Sequence, residues 1–299
     1  MIKSFAALEE ALLAKGRRPK AIKTAVLNPT EPKYIEAIRK AAEKRIIEPV
    51  LIGSKEAINK AFAETSSEPS KFEIINTDSP EQTLRAALNC KPGCIVKGNI
   101  PARKFALTLL DPVYKFSGNG IMTHIGVVKA KGYKRLMLIT DGAVHAVADA
   151  SKRIQIIQNA ADLAGRLGIE NPKAAMLAAV EAIYPAVPVT MEEAAIAKMS
   201  DRGQIKGVEI DGPLSFDCAI SRKVAKAKGL ANSKVAGQVD IFAMPSMETA
   251  NGTYKAMVMY TGAEGAGILH GGILPAACPY TSDSETNIYN SILLAAFLG

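Results

Sequence analysis

Residues 23–53 read KTAVLNPTEPKYIEAIRKAAEKRIIEPVLIG. The first five form a short apolar run, and Asn28-Pro29-Thr30 follow as turn residues. Residues 36–44 then carry apolar side chains at helical spacing, and 48–53 is again apolar and strand-like. Strand, turn, helix, strand is the unit from which parallel sheets with crossover helices are built. It recurs at once, with a strand predicted over 72–76, a helix over 80–89 and a strand over 94–97. Farther on, strands are predicted at 136–140, 173–180, 208–211 and 239–243, between helices at 151–167, 190–200 and 248–260. The expected fold class is α/β with parallel-type sheets. Ligands of such sheets sit beyond the carboxyl ends of the strands, so Asn28-Pro29-Thr30, Gly53-Ser54 and Gly98-Asn99 are candidate loops.

Composition agrees with that class and excludes others. The 299 residues are 48% apolar with no Trp, enough for one large or two ordinary cores. The net charge of +8 suits acidic small molecules. It is scattered, and aromatics are 5%, so the clustered basic face and stacking rings that nucleic acid needs are missing. The first twenty residues predict an amphipathic helix with acidic residues inside it, unlike a signal peptide, and no run reaches a membrane span. Cys90, Cys94, Cys218 and Cys278 read as reduced thiols in a cytoplasmic setting. His124, His145 and His270 lack metal-ligand spacing, so neither a metal nor another cofactor is expected. P-loop and Gly-x-Ser-x-Gly motifs are absent. Chemistry is expected to rest on positioning and polar groups.

Two stretches carry polar chemistry. Residues 279–291, PYTSDSETNIYNS, hold five Ser or Thr, two carboxylates and two amides where a last helix should begin. They lie between a glycine-rich stretch, 262–272, expected as a loop lining a pocket, and the apolar run 292–298. Ser, Thr and Asp there read either as a helix cap or as an anion seat, because a helix start leaves N–H groups unpaired. Asp141, after the strand 136–140, reads as a working group at a strand end or as turn chemistry. Arg103 and Lys104 open the helix after Gly98, a position unfavourable for cations unless an anion or acidic partner is close.

Several segments together resemble the phosphate acetyl- and butyryltransferases, the butyryl branch more closely. They are IIEPVLIGS (46–54), LITDGAV (138–144), IQNAADLAGRLGIENPKAAMLAAVE (157–181), KMSDRGQIKGVEIDGPLSFDCAIS (198–221) and VAGQVDIFAMPSMETANGTYK (235–255), with the last helix. The resemblance implies two α/β domains flanking a cleft, in the manner of the isocitrate and isopropylmalate dehydrogenases. The first would span residues 1–130 plus 271–299 and the second 131–270. It also implies a homodimer, and the reaction acyl-CoA plus phosphate giving acyl phosphate plus CoA through a ternary complex without metal.

Carried onto this sequence, the resemblance assigns Asp283, Ser284 and Thr281 to catalysis. It assigns Asn251, Lys255, Tyr280, Thr123, His124, Ser117 and Asp141 to substrate binding. Asp211, Gly212, Pro213 and Asp217 also match. The departures are of one kind. Tyr280 and Thr281 stand where the family has Ser-Arg, Ile288 stands at a lysine place, and Ser117 and Leu107 stand at arginine places. A second reading therefore stays open, in which the fold binds a CoA thioester or another acidic ligand without transferring it. A third is transfer of the acyl group to another acceptor.

Overall fold

The computed structural model describes residues 1–14, 20–65, 67–116 and 120–299. They form two compact units. The terminal unit is Ser4–Gly120 with Glu264–Gly299, and the middle unit is Ile121–Ala263 with Met1–Lys3. Elements are numbered along the chain. The first stretch carries α1 (Phe5–Leu13), β1 (Ile22–Leu27), α2 (Pro32–Glu43), β2 (Ile47–Gly53), α3 (Lys55–Ala63), β3 (Glu73–Asn76), α4 (Pro80–Asn89), β4 (Cys94–Lys97) and α5 (Ala102–Leu110). The middle carries β5 (Thr123–Lys129), β6 (Met137–Thr140), α6 (Ala150–Arg166), β7 (Lys173–Leu177), α7 (Pro188–Asp201), β8 (Glu209–Leu214), α8 (Phe216–Ile220), α9 (Arg222–Ala227), β9 (Ile241–Ala243) and α10 (Met247–Tyr260). The last stretch carries β10 (Glu264–His270), β11 (Ala276–Ala277) and α11 (Glu285–Leu298).

In the terminal unit the strand order is β3-β2-β1-β4-β11-β10. All neighbours are parallel except β10, which runs antiparallel to β11. The alternation read over residues 23–53 is β1-α2-β2. Pro32 suits the first turn of α2, where its missing N–H is no loss, and Ser79 caps α4 by accepting from Gln82 N. Helix α11 is buried on nearly every side, from Asn287 to Leu298, as an all-round apolar helix must be.

In the middle unit the order is β5-β6-β9-β7-β8, with β5 antiparallel to β6 and the rest parallel. Asp149 caps α6 and Ser246 caps α10. No helix among the described residues is long and apolar enough to cross a membrane.

Two expectations change. The units divide after Gly120 and after Ala263, not at 130/131 and 270/271. Strand β5 belongs with the middle unit because its partner there is β6, and β10 belongs with the terminal unit because it pairs with β11. The stretch 262–272, read as a loop, is mostly strand β10. Side chains of α11 bond its backbone directly. Gly265 N donates to Asn287 Oδ1 at 2.9 Å and Gly267 N to Ser291 Oγ at 3.0 Å, while Asn290 Nδ2 donates to Gly265 O at 3.3 Å.

Candidate active site

The parallel register aligns the carboxyl ends of β1, β4 and β11 along one edge of the terminal unit. Leu27 stands beside Lys97, and Ala277 beside Val96. The turns after β1 and β4 are stitched together, Gly98 N donating to Leu27 O at 2.7 Å and Asn99 N to Asn28 O at 2.8 Å. Glycine is required at 98, since a Cβ there would lie 2.3 Å from both Leu27 O and Asn28 O.

Lys97 is fully buried at this edge, and its Nζ donates to Gly98 O at 3.0 Å and Ile100 O at 2.8 Å. The ammonium lies 5.9 Å from the centre of the Tyr34 ring. Burial lowers the Lys97 pKa, and Cys278 and Asp283 pull it the other way. Tyr34 is itself fully buried, and among the described residues its hydroxyl has no hydrogen-bond partner. Burial pushes that phenol up, with Glu31, Asp283 and Cys278 adding to the shift. A buried hydroxyl and a buried ammonium thus stand side by side at this edge.

The turn before α11 closes over this edge. Asp283, buried, accepts from Tyr280 N at 2.8 Å and from Asn287 Nδ2 at 3.3 Å. Ser284 caps α11 by accepting from Asn287 N at 3.2 Å, so its hydroxyl oxygen serves the helix start. Tyr280 is buried, and Thr281 is exposed. Lys33, in the first turn of α2, donates to Thr281 O at 2.5 Å and pairs with Glu31 at 3.2 Å. A cation thus stands at position 281 although the side chain there is not one. Helices α2 and α5 both start at this edge without a side-chain cap bond, so they present N–H groups and partial positive charge to an anion.

A second set of candidates gathers in the middle unit. Thr123 and His124 open β5 fully buried, and Asn159 Nδ2 donates to Thr123 Oγ1 at 2.9 Å. Thr140 Oγ1 donates to His124 O at 3.2 Å. At the end of β6, Asp141 Oδ1 accepts from Ala143 N and Val144 N, each at 2.9 Å, and shapes the turn. Its Oδ2 is buried, without a hydrogen-bond partner among the described residues, 4.0 Å from His145 Nε2. Asn251 Nδ2 donates to Gly142 O at 3.1 Å from α10. Lys255, half-buried, lies one turn later on the same helix. The expected residues therefore fall into two sets, one in each unit. Ser117 lies outside the described residues. Reading the sequence passed over Lys33, Tyr34, Lys97 and Asn159, and gave Asn287 no role of its own. For Lys97 a signal existed, a charged residue closing the apolar strand Cys94–Lys97 just before Gly98.

The profile of the phosphate acetyl/butaryl transferase family matches residues 85–296. The chain belongs to this family. A phosphate butyryltransferase from Clostridium acetobutylicum is 33% identical, the alignment covering 100% of this chain and 99% of that one. A phosphate acetyltransferase from Thermotoga maritima is 34% identical, over 95% of this chain and 97% of the other. Among solved structures, a branched-chain phosphotransacylase from Enterococcus faecalis superposes with a TM-score of 0.78 at 20% identity, covering 93% and 98% of the two chains. In the polar turn ahead of α11, Thr281 is exposed with Lys33 on its carbonyl.

Proposed function

We propose that the protein moves a short acyl group between coenzyme A and phosphate, in the direction acyl-CoA plus phosphate to acyl phosphate plus CoA or its reverse. A phosphate oxygen attacks the thioester carbonyl carbon, and the carbonyl oxygen becomes an oxyanion. Collapse re-forms the carbonyl and breaks the carbon–sulfur bond. The departing thiolate then takes up a proton. Such a reaction asks the protein to hold two anions and to stabilise the oxyanion, which positioned donors and cations do.

The observation that carries this reading is the carboxyl edge of the terminal unit. There Lys33 holds the turn 280–284 through Thr281 O, Lys97 and the Tyr34 hydroxyl lie side by side at the same edge, and two helices start without side-chain caps. Lys33 and Lys97 provide the positive charge that Thr281 does not. Asp283 is assigned to holding the turn, Thr281 and Ser284 to hydrogen bonds toward the reacting groups, and Tyr280 to the wall behind them. In the middle unit Asn251 and Lys255 are assigned to an anion contact, with Thr123, His124 and Asp141 fixing the segment they face.

The reaction as proposed requires no metal or other cofactor. Among the described residues, the acidic and thiol group Glu181, Asp217 and Cys218 has the Lys228 ammonium in its midst, 2.9 Å from Glu181 and 3.1 Å from Asp217. The exposed apolar side chains of Val180, Ile183, Tyr184 and Met191 support a homodimer, and the four free cysteines support a cytoplasmic setting. The test is release of free thiol from butyryl-CoA with and without phosphate, before and after a chelator. Thiol release that depends on phosphate and survives chelation is expected. Thiol release indifferent to phosphate would sink the proposal.

A further inference from the structure

A pocket opens between α4 and α5 at the same edge of the terminal unit. Its space, counted out to open solvent, is about 600 Å³. The lining divides by depth. Leu27, Leu84, Phe105 and Leu109 are buried, none more than 2% exposed. Asn99 and Lys104 are exposed, and Asn28 is half-buried. The floor is therefore hydrocarbon, and the mouth is polar with one cation.

The few polar atoms among the deeper walls are already bonded within the protein. The Thr83 hydroxyl shares a hydrogen bond with Thr77 at 2.7 Å and reaches Ser79 O at 2.9 Å. Thr108 Oγ1 donates to Lys104 O at 2.8 Å. A purine seated on this floor would bury ring nitrogens without partners, which is costly. A hydrocarbon chain brings no such demand. The turn 98–101, whose Asn99 and Ile100 wall the pocket, is also the turn whose carbonyls hold Lys97. The pocket thus adjoins the anion-receiving edge, with Lys104 beside the start of α5.

We propose that this pocket receives the acyl chain of the thioester, with the carbonyl end toward the turn 98–101, and that its depth sets chain-length preference. The inference rests on the acyl-transfer reading given above. Leu84→Phe fills the floor and Leu84→Ala deepens it. The experiment compares acetyl-, butyryl- and hexanoyl-CoA in phosphate-dependent thiol release, and compares CoA with butyryl-CoA in calorimetric binding. Two further methylenes in an apolar pocket are worth about tenfold. Leu84→Phe should therefore lower kcat/KM for butyryl-CoA about tenfold relative to acetyl-CoA. It should also remove the advantage of butyryl-CoA over CoA in binding while leaving CoA affinity unchanged. Leu84→Ala should move preference toward hexanoyl-CoA, and it decides the matter alone if the Phe variant fails to fold. Unchanged ratios across the series in a folded variant would overturn the pocket assignment. If the wild-type protein releases no thiol with phosphate, the acyl-transfer reading fails. The binding arm still judges the pocket in that case, because equal affinity for CoA and butyryl-CoA overturns it.

Discussion

Lys97 holds an ammonium where the fold penalises it. Burial disfavours its charged form, and two hydrogen bonds to Gly98 O and Ile100 O oppose that penalty. Each such charge-assisted bond is worth about 1.5–3 kcal/mol, similar in size to the effective cost of burying the charge. Lys97→Met should accordingly melt within about 4 °C of the wild type, equivalent to roughly 1 kcal/mol. Its phosphate-dependent turnover should fall at least tenfold. A variant that melts normally and turns over normally would remove Lys97 from the site. Glu181 shows the opposite balance. Burial would raise its carboxyl, but hydrogen bonds from Ser215, Lys228 and Cys218 overcome this and leave it at about 2. Its folded pKa lies below the ordinary carboxylate value, so its stabilisation is complete above about pH 4.5. That stabilisation is lost as the pH falls from there toward 2. Thermal melts of Glu181→Gln should therefore lie below those of the wild type at pH 7, with the gap narrowing at pH 3 and nearly closing by about pH 2. A gap as wide at pH 3 as at pH 7 contradicts this.

The elements owe their stability to contacts that span the chain, and α11 on β10 is the plainest case. Asn287 occupies the junction, accepting from Gly265 N and donating to Asp283 Oδ1. Asn287→Leu keeps the helix but leaves the buried Gly265 N–H without its acceptor and removes one donor from Asp283. The expected loss is about 1–3 kcal/mol, with weaker phosphate binding as the turn 280–283 loosens. Equal stability by denaturant titration would show that water replaces the amide. The same junction explains what sequence reading could and could not find. Helix α4 and strand β4 lie where residues 80–89 and 94–97 predict them, because their apolar patterns and the Ser79-Pro80 start are local. Strand β10 was hidden because Gly265 and Gly267 look like a loop until α11 is placed against them. Asp283 and Asp141 were legible as polar residues beside a helix start and a strand end. Lys97 was legible only as a charge closing an apolar strand, since the surroundings that give it a role, Tyr34, Cys278 and Asp283, come from opposite ends of the chain.

At the scale of the whole molecule, the two units differ in how the chain builds them. The middle unit is almost wholly one continuous stretch, with Met1–Lys3 added through a hydrogen bond from Ile2 N to Leu167 O at 2.8 Å. The terminal unit is discontinuous: β10, β11 and α11 arrive only after residue 263. Strand β4 then gains its neighbour β11, and α11 brings Ile288, Ile292, Leu293, Leu294 and Leu298 into the core. At about 1.5–3 kcal/mol for each buried aliphatic side chain, those five contribute roughly 10 kcal/mol, as much as the whole net stability of an ordinary domain. A fragment of residues 121–263 should therefore melt cooperatively on its own, whereas residues 1–120 should not. Circular dichroism melts of the two fragments check this, and adding residues 264–299 in trans should restore order to the second. A cooperative melt of residues 1–120 alone would mean that β1, β2, β3 and β4 with their helices suffice. The terminal turn would then be an addition to a finished domain, and Asn287 and Asp283 would matter to the site without mattering to the fold.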